Sequence, residues 1–115
     1  MDAHGHSRAD RRNLHLHRAA LAKLREDPHL LEPCIALVET WLKAPEQRAA
    51  QPYLERWREM LTRWSLADVA RVVLDEIAGQ ALRQCSPLGP ALTPRERWAL
   101  LEEVNRAPHP SVEPR

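Results

Sequence analysis

The chain of 115 residues has no phenylalanine, one tyrosine and three glycines. Without phenylalanine, leucine, valine, isoleucine and alanine must build most of the core, and four tryptophans supply the largest rings. Few glycines leave no glycine-rich phosphate cradle. No GxGxxG, Walker or GxSxG pattern occurs, so nucleotide binding and serine-hydrolase chemistry lack support. Cysteine is equally scarce. Cys34 and Cys85 lie far apart with no CxxC partner, so reduced, packed thiols are expected rather than a disulfide framework or thiolate metal site. An excess of one charge is missing too. Seventeen basic residues against 16 acidic ones leave a formal +1, which by itself demands neither nucleic acid nor an anionic membrane. No apolar run approaches the roughly 20 residues that span a bilayer. The His- and Arg-rich N-terminus lacks the apolar segment of a secretory signal. Together these absences predict a soluble, cytoplasmic protein with no membrane partner. Alternating Val, Ile and Thr between hairpin turns is also absent, so no strand is expected.

What the chain does have is proline, ten residues of it, set between segments of helical periodicity. Leu14, Leu21 and Leu24, with Ala20, recur at helical spacing between Arg8 and Glu26. Arg11, Arg18 and Arg25 repeat every seventh residue and form a basic stripe on that helix. Asp27-Pro28 restarts the chain as N-cap and first-turn proline. Leu31, Ile35, Val38 and Leu42 then mark a second helix, which Pro33 must kink or delay before Ala44-Pro45 ends it. Glu46 to Gln51 reads as a linker or a single turn. Pro52 opens a third helix carrying Tyr53, Leu54, Trp57, Met60, Leu61 and Trp64. Ser65, with Asp68 three residues on, caps a fourth whose face runs through Leu66, Val69, Val73 and Ile77. A short fifth helix ends near Gln84. Ser86-Pro87 stops it, and Pro87 to Leu92 forms a Pro/Gly-locked loop, expected to be ordered without regular secondary structure. Thr93, Pro94 and Glu96 make a capping box that starts the last helix, which runs to about Asn105 with Trp98, Leu101 and Val104 on one face. The expected fold is therefore all-α: a single compact bundle of about five to six short helices over residues 8–106. Residues 1–7 read as a flexible N-terminus and residues 107–115 as a disordered Pro-rich tail.

Candidate chemistry is thin. His4, His6, His15 and His17 invite a metal, but His15 and His17 are two apart and diverge on a helix, so all four read as solvated surface histidines and no metal or cofactor is expected. Cys85 follows Arg83 but lies near a helix C-terminus, whose dipole disfavours a thiolate. Asp75 and Glu76 are adjacent and point apart, a poor acid–base pair. Tyr53, Trp57, Met60 and Trp64 share one helix face, which packs as core or serves as an interface seam. Leu66 to Val73 has a weak likeness to the first helix of a helix-turn-helix, but the turn position holds Leu74 and Gly79 comes late. No catalytic constellation emerges, so a non-enzymatic binding protein is expected.

Three segments carry a resemblance. They are Leu14-His15-Leu16-His17-Arg18-Ala19-Ala20 with Leu24-Arg25-Glu26-Asp27-Pro28; Tyr53-Leu54-Glu55-Arg56-Trp57; and Ala81-Leu82-Arg83-Gln84-Cys85-Ser86-Pro87 with Leu92-Thr93-Pro94-Arg95-Glu96-Arg97-Trp98. The chain resembles small all-helical bacterial proteins of toxin–antitoxin-like gene pairs. It departs from their pattern at Leu88, where Phe is usual, and at Cys85, where Ser is usual. The resemblance implies an antitoxin-like module that neutralises a cognate toxin by direct association. The arginine-flanked loop and the tryptophan closing it give the expected partner-binding residues: Arg83, Ser86, Pro87, Arg95, Arg97 and Trp98. The alternative is a small helical nucleic-acid-binding regulator, acting as a homodimer, that tracks DNA phosphates with Arg8, Arg11, Arg12 and Arg18.

Overall fold

A computed structural model describes residues 8–106. The expectations for residues 1–7 and 107–115 lie outside the described residues. Six α-helices form an all-α bundle with no strand among the described residues. They are α1 (Arg8–Glu26), α2 (Leu31–Leu42), α3 (Gln51–Arg63), α4 (Leu66–Val73), α5 (Gln80–Gln84) and α6 (Pro94–Arg106). Three 3-10 turns, Pro28–Leu30, Pro45–Ala50 and Gly89–Ala91, join them.

Local chemistry sets most boundaries. Asp27 Oδ1 accepts the His29 N–H at 3.2 Å, and Pro28 starts a 3-10 turn. The α-helix begins after that turn, so Pro33 falls in the first turn of α2, where its missing N–H has no helical partner to lose. Pro33 thus delays the helix rather than kinking it. Ser65 Oγ accepts the Asp68 N–H at 3.1 Å and caps α4. The box at α6 is reciprocal: Thr93 N–H donates to Glu96 Oε1 at 2.8 Å and Glu96 N–H to Thr93 Oγ1 at 3.1 Å.

Two segments differ from expectation. The fourth helix stops at Val73, and Ile77 is 74% exposed instead of continuing its apolar face. The Asp75 carboxylate accepts the N–H groups of Ile77 at 3.0 Å and Ala78 at 2.7 Å, which turns the chain before a further helical turn can form. The Pro/Gly segment contains a regular turn after all, Gly89–Ala91, with Pro90 supplying the favourable φ.

The core holds Leu24, Cys34, Val38, Leu54, Trp57, Met60, Val69 and Val73, all fully buried. Helices α2 and α3 pack along each other, while α1 touches α4, α5, α6 and the Gly89–Ala91 turn. The aromatic face of α3 is core at Trp57, whose indole N–H donates to Leu82 O at 2.8 Å and ties α3 to α5. Tyr53 remains exposed, and Trp64 is half-buried with the Arg56 guanidinium 5.7 Å from its ring centre.

Candidate functional site

The segment from Arg83 to Trp98 lies against α1, and the structure divides its residues into two groups. Arg83 is turned inward and is 4% exposed. Its guanidinium donates to Val73 O at 2.7 Å, Asp75 O at 2.8 Å and Glu76 O at 3.1 Å. These carbonyls lie at and just beyond the end of α4, where a helix leaves its last C=O groups without helical donors. Arg83 is therefore a pin for the α4–α5 connection and not an exposed flank of the loop. Burial lowers its pKa, with Asp10, Asp75 and Glu76 opposing that shift. Pro87 is also fully buried and packs inward, so it does not face a partner. Ser86 is half-buried, and its hydroxyl oxygen accepts the Leu88 N–H at 3.2 Å. Leu88 and Leu92 both anchor into the core.

Arg95, Arg97 and Trp98 form the outward group. Trp98 is 65% exposed. At about 100° per residue, Leu100 lies nearly opposite Trp98 on α6 and turns toward the core, which leaves the indole outside. An apolar hollow beside it is lined by Pro90, Leu92, Pro94 and Leu101, with Arg97 at its edge. Arg97 Nη2 donates to Gly89 O at 3.3 Å. Glu102 faces Arg106 at 3.9 Å and does not brace Arg95 or Arg97. Lys23 on α1 pairs with Glu96, and this contact raises the lysine pKa and lowers that of the carboxylate.

The expected nucleic-acid-binding residues all lie on α1. Arg8, Arg11 and Arg18 are exposed and Arg12 is half-buried. Helix α5 has five residues and buries Leu82 and Arg83, so it offers no groove-reading face after α4.

His17 overturns the reading of the α1 histidines as solvated. It is 6% exposed and lies at the wall of a cavity of about 170 Å³ between α1, the Ser86–Leu92 segment and α6. Its Nδ1 is 2.7 Å from Asn13 O. A carbonyl only accepts, so Nδ1 carries the proton and Nε2 presents a lone pair. Burial, with Arg83 assisting, pushes its pKa down against the Asn13 bond, and the ring is neutral at pH 7. Nε2 has no hydrogen-bond partner among the described residues. A signal for this placement was in the sequence: Leu14, His17, Leu21 and Leu24 follow a three–four spacing, so His17 occupies a seam position. His15 is half-buried, its Nε2 3.6 Å from a Glu103 carboxylate oxygen. His4 and His6 lie outside the described residues.

Both thiols are raised above their ordinary value by burial, Cys34 to about 11. Among the described residues no three His, Cys, Asp or Glu side chains converge as metal ligands. No described helix is long and apolar enough to cross a membrane. No family model, no curated protein and no solved structure matches the chain.

Proposed function

We propose that this protein is a non-enzymatic protein-binding module, antitoxin-like, that holds a cognate toxin inactive by direct association in the bacterial cytoplasm. The observation that carries the reading is Trp98, 65% exposed beside the apolar hollow of Pro90, Pro94 and Leu101 and flanked by exposed Arg95 and Arg97. Tryptophan and arginine are the side chains most enriched among residues that dominate binding energy. Their frame is fixed by the Thr93–Glu96 capping box and the inward anchors Leu88 and Leu92. A frame that is already ordered loses little entropy on docking. The resemblance to proteins of toxin–antitoxin-like gene pairs supplies the class of partner. The face therefore comprises Arg95, Arg97 and Trp98, with Ser86 at its margin. Arg83 and Pro87 support it from below.

The test is co-expression of the chain with the products of its neighbouring genes, followed by binding measurements on the pair. A neighbouring product should arrest growth alone and be relieved by this chain. Trp98→Ala should weaken the complex by about 30-fold or more, the scale of a binding hot spot, while stability changes within about 0.5 kcal/mol. Wild-type affinity in both Trp98→Ala and Arg97→Ala, or no neighbouring product that binds, overturns the reading.

A second reading is favoured by one observation: Arg11, Arg18 and Arg25 are all exposed at seven-residue intervals along α1. Arg8, Arg11, Arg12 and Arg18 on this helix would track DNA phosphates, Arg12 from a half-buried position. Affinity for duplex DNA should then fall steeply with salt. A mobility-shift titration with no binding at low salt removes it.

A further inference from the structure

The outer face of α6 carries opposite charges before and after Trp98. Arg95, Trp98 and Glu102 are all exposed. At 3.6 residues per turn, Arg95 and Glu102 lie within about 60° of Trp98 around the helix, both on the same side of it. Pro94 and Leu101 flank Trp98 on the other side and, with Pro90, line the apolar hollow there. Leu100 packs against the core, whereas Trp98 and Leu101 stand apart from it. Along the helix, Arg95 comes three residues before Trp98 and Glu102 three residues after Ala99. The two charges are thus equally far from a point between Trp98 and Ala99. The neighbour of Glu102 is Arg106 at 3.9 Å, and both side chains are exposed. An exposed pair one turn apart contributes little, so the carboxylate is free to turn to another cation.

We propose that a second copy of this chain docks on this face, α6 against α6 and antiparallel, about a two-fold axis between Trp98 and Ala99. In a two-fold interface, if one residue meets another, the reverse contact follows. An axis at this point sets Arg95 of each copy opposite Glu102 of the other. The same rotation brings the two Trp98 rings together beside the axis and closes the two hollows over each other. A parallel pairing would set Arg95 against Arg95 and Glu102 against Glu102, so charge selects the antiparallel one. An acidic segment would answer Arg95 but meet Glu102, and a basic segment would do the reverse. Helix α6 itself supplies both signs at the spacing required. One face of a 13-residue helix is smaller than a standard interface of about 1,600 Å², so the dimer is weak. It covers the face that a toxin would occupy, and the two exclude each other. The dimer is therefore the form of the chain without its partner.

The experiment is sedimentation equilibrium on the full chain alone, from about 5 to 500 μM at low salt. Wild type should pass from monomer to dimer over this range, and added salt should favour the monomer. Arg95→Glu and Glu102→Arg each create two like-charge contacts and should weaken the dimer at least about tenfold. The double variant restores both pairs with reversed sign and should return to within about threefold of wild type. An equimolar mixture of the two single variants should form a heterodimer as tight as wild type, because each chain supplies the charge that the other lacks. Trp98→Ala should weaken the dimer at least about 30-fold, the scale of a binding hot spot. All three positions are exposed, so thermal melts at the lowest concentration should match wild type. The proposal is overturned if wild type stays monomeric throughout, which leaves the face to a different partner. It is also overturned if neither the double variant nor the mixture dimerises better than the single variants, which places any dimer contact elsewhere. No toxin is present, so failure here and failure of the toxin reading are separate results.

Discussion

Arg83→Met tests the account of the α4–α5 connection directly. The methionine keeps most of the aliphatic stem and removes the guanidinium. Three carbonyls lose the guanidinium, but they do not lose equally: Asp75 O keeps the Gly79 N–H at 3.0 Å. The Val73 bond is buried, so no water replaces it readily, whereas the bonds to Asp75 O and Glu76 O are partly buried and Glu76 O can turn to solvent. A buried acceptor left without a partner costs about 1–3 kcal/mol, and a hydrogen bond to a charged group contributes about 1.5–3 kcal/mol. Relief from burying the guanidinium offsets part of this. The net expectation is a loss of about 3 kcal/mol, a large share of the stability of a domain this size. That corresponds to a fall in Tm of roughly 10–15 °C. Urea denaturation should show a lower midpoint at nearly unchanged m-value, because the folded surface is unchanged. Arg83→Lys keeps the charge but cannot reach three acceptors at once, and should fall between wild type and Arg83→Met. A loss below about 1 kcal/mol for Arg83→Met would show that the three carbonyls find other donors, and the pin would be refuted.

Other substitutions separate neighbouring effects. A Cβ on Gly79 would lie 2.4 Å from Val73 O and 2.7 Å from Val72 O, so Gly79→Ala should destabilise by about 2 kcal/mol or more in thermal melts. Gly89→Ala meets only the far end of Arg97, at 3.2 Å, and should leave the melting curve almost unchanged. Thr93→Ala removes one half of the α6 capping box and should cost about 1 kcal/mol by urea titration. His17 has a folded-state pKa below its ordinary 6.5. As pH falls through 6.5 the unfolded chain takes up the proton first, so stability should drop until the folded ring is protonated too, and His17→Phe should flatten this part of the profile. Amide exchange should be faster in α6, which buries no residue fully, than in α3, which carries Leu54, Trp57 and Met60; equal protection would contradict the packing described here.

The fold was legible where local chemistry decides it. Ser65, Asp27 and the Thr93–Glu96 pair mark helix starts by side-chain acceptors at fixed offsets, and each makes the bond its spacing implies. Apolar spacing in α1 and α3 marks the buried faces for the same reason, since both periods are properties of a single helix. What could not be read is what depends on distant chain. Nothing near Arg83 in sequence says that carbonyls seven to ten residues earlier need a donor. Ile77 fits the α4 face by spacing, yet Asp75 ends the helix first. His17 was legible in position, since it completes the leucine seam, but its chemistry was not: the wall opposite comes from Leu88, Leu92 and Arg97, some 70 residues on or more.

The inward turn of Arg83 changes where an interaction surface can lie. Read along the chain, Arg83, Arg95 and Arg97 bracket one loop with three cations. In the structure the first holds α4 to α5, and the loop between them is fastened by Pro87, Leu88 and Leu92, whose side chains are buried. The exposed chemistry moves to α6. That helix is held by its capping box, by Glu96 to Lys23, by Glu103 beside His15 and by shallow contact through Leu100. Polar ties of this kind contribute little stability each when exposed. They do fix direction, and so Trp98 and Arg97 project from a helix whose first turn is anchored while its outer face is bare. An element so held gains most from a ligand or partner that adds apolar contact, because whatever binds the folded form alone stabilises it by mass action. Arg97 stands at the junction, lining both the apolar hollow beside Trp98 and the cavity that contains His17.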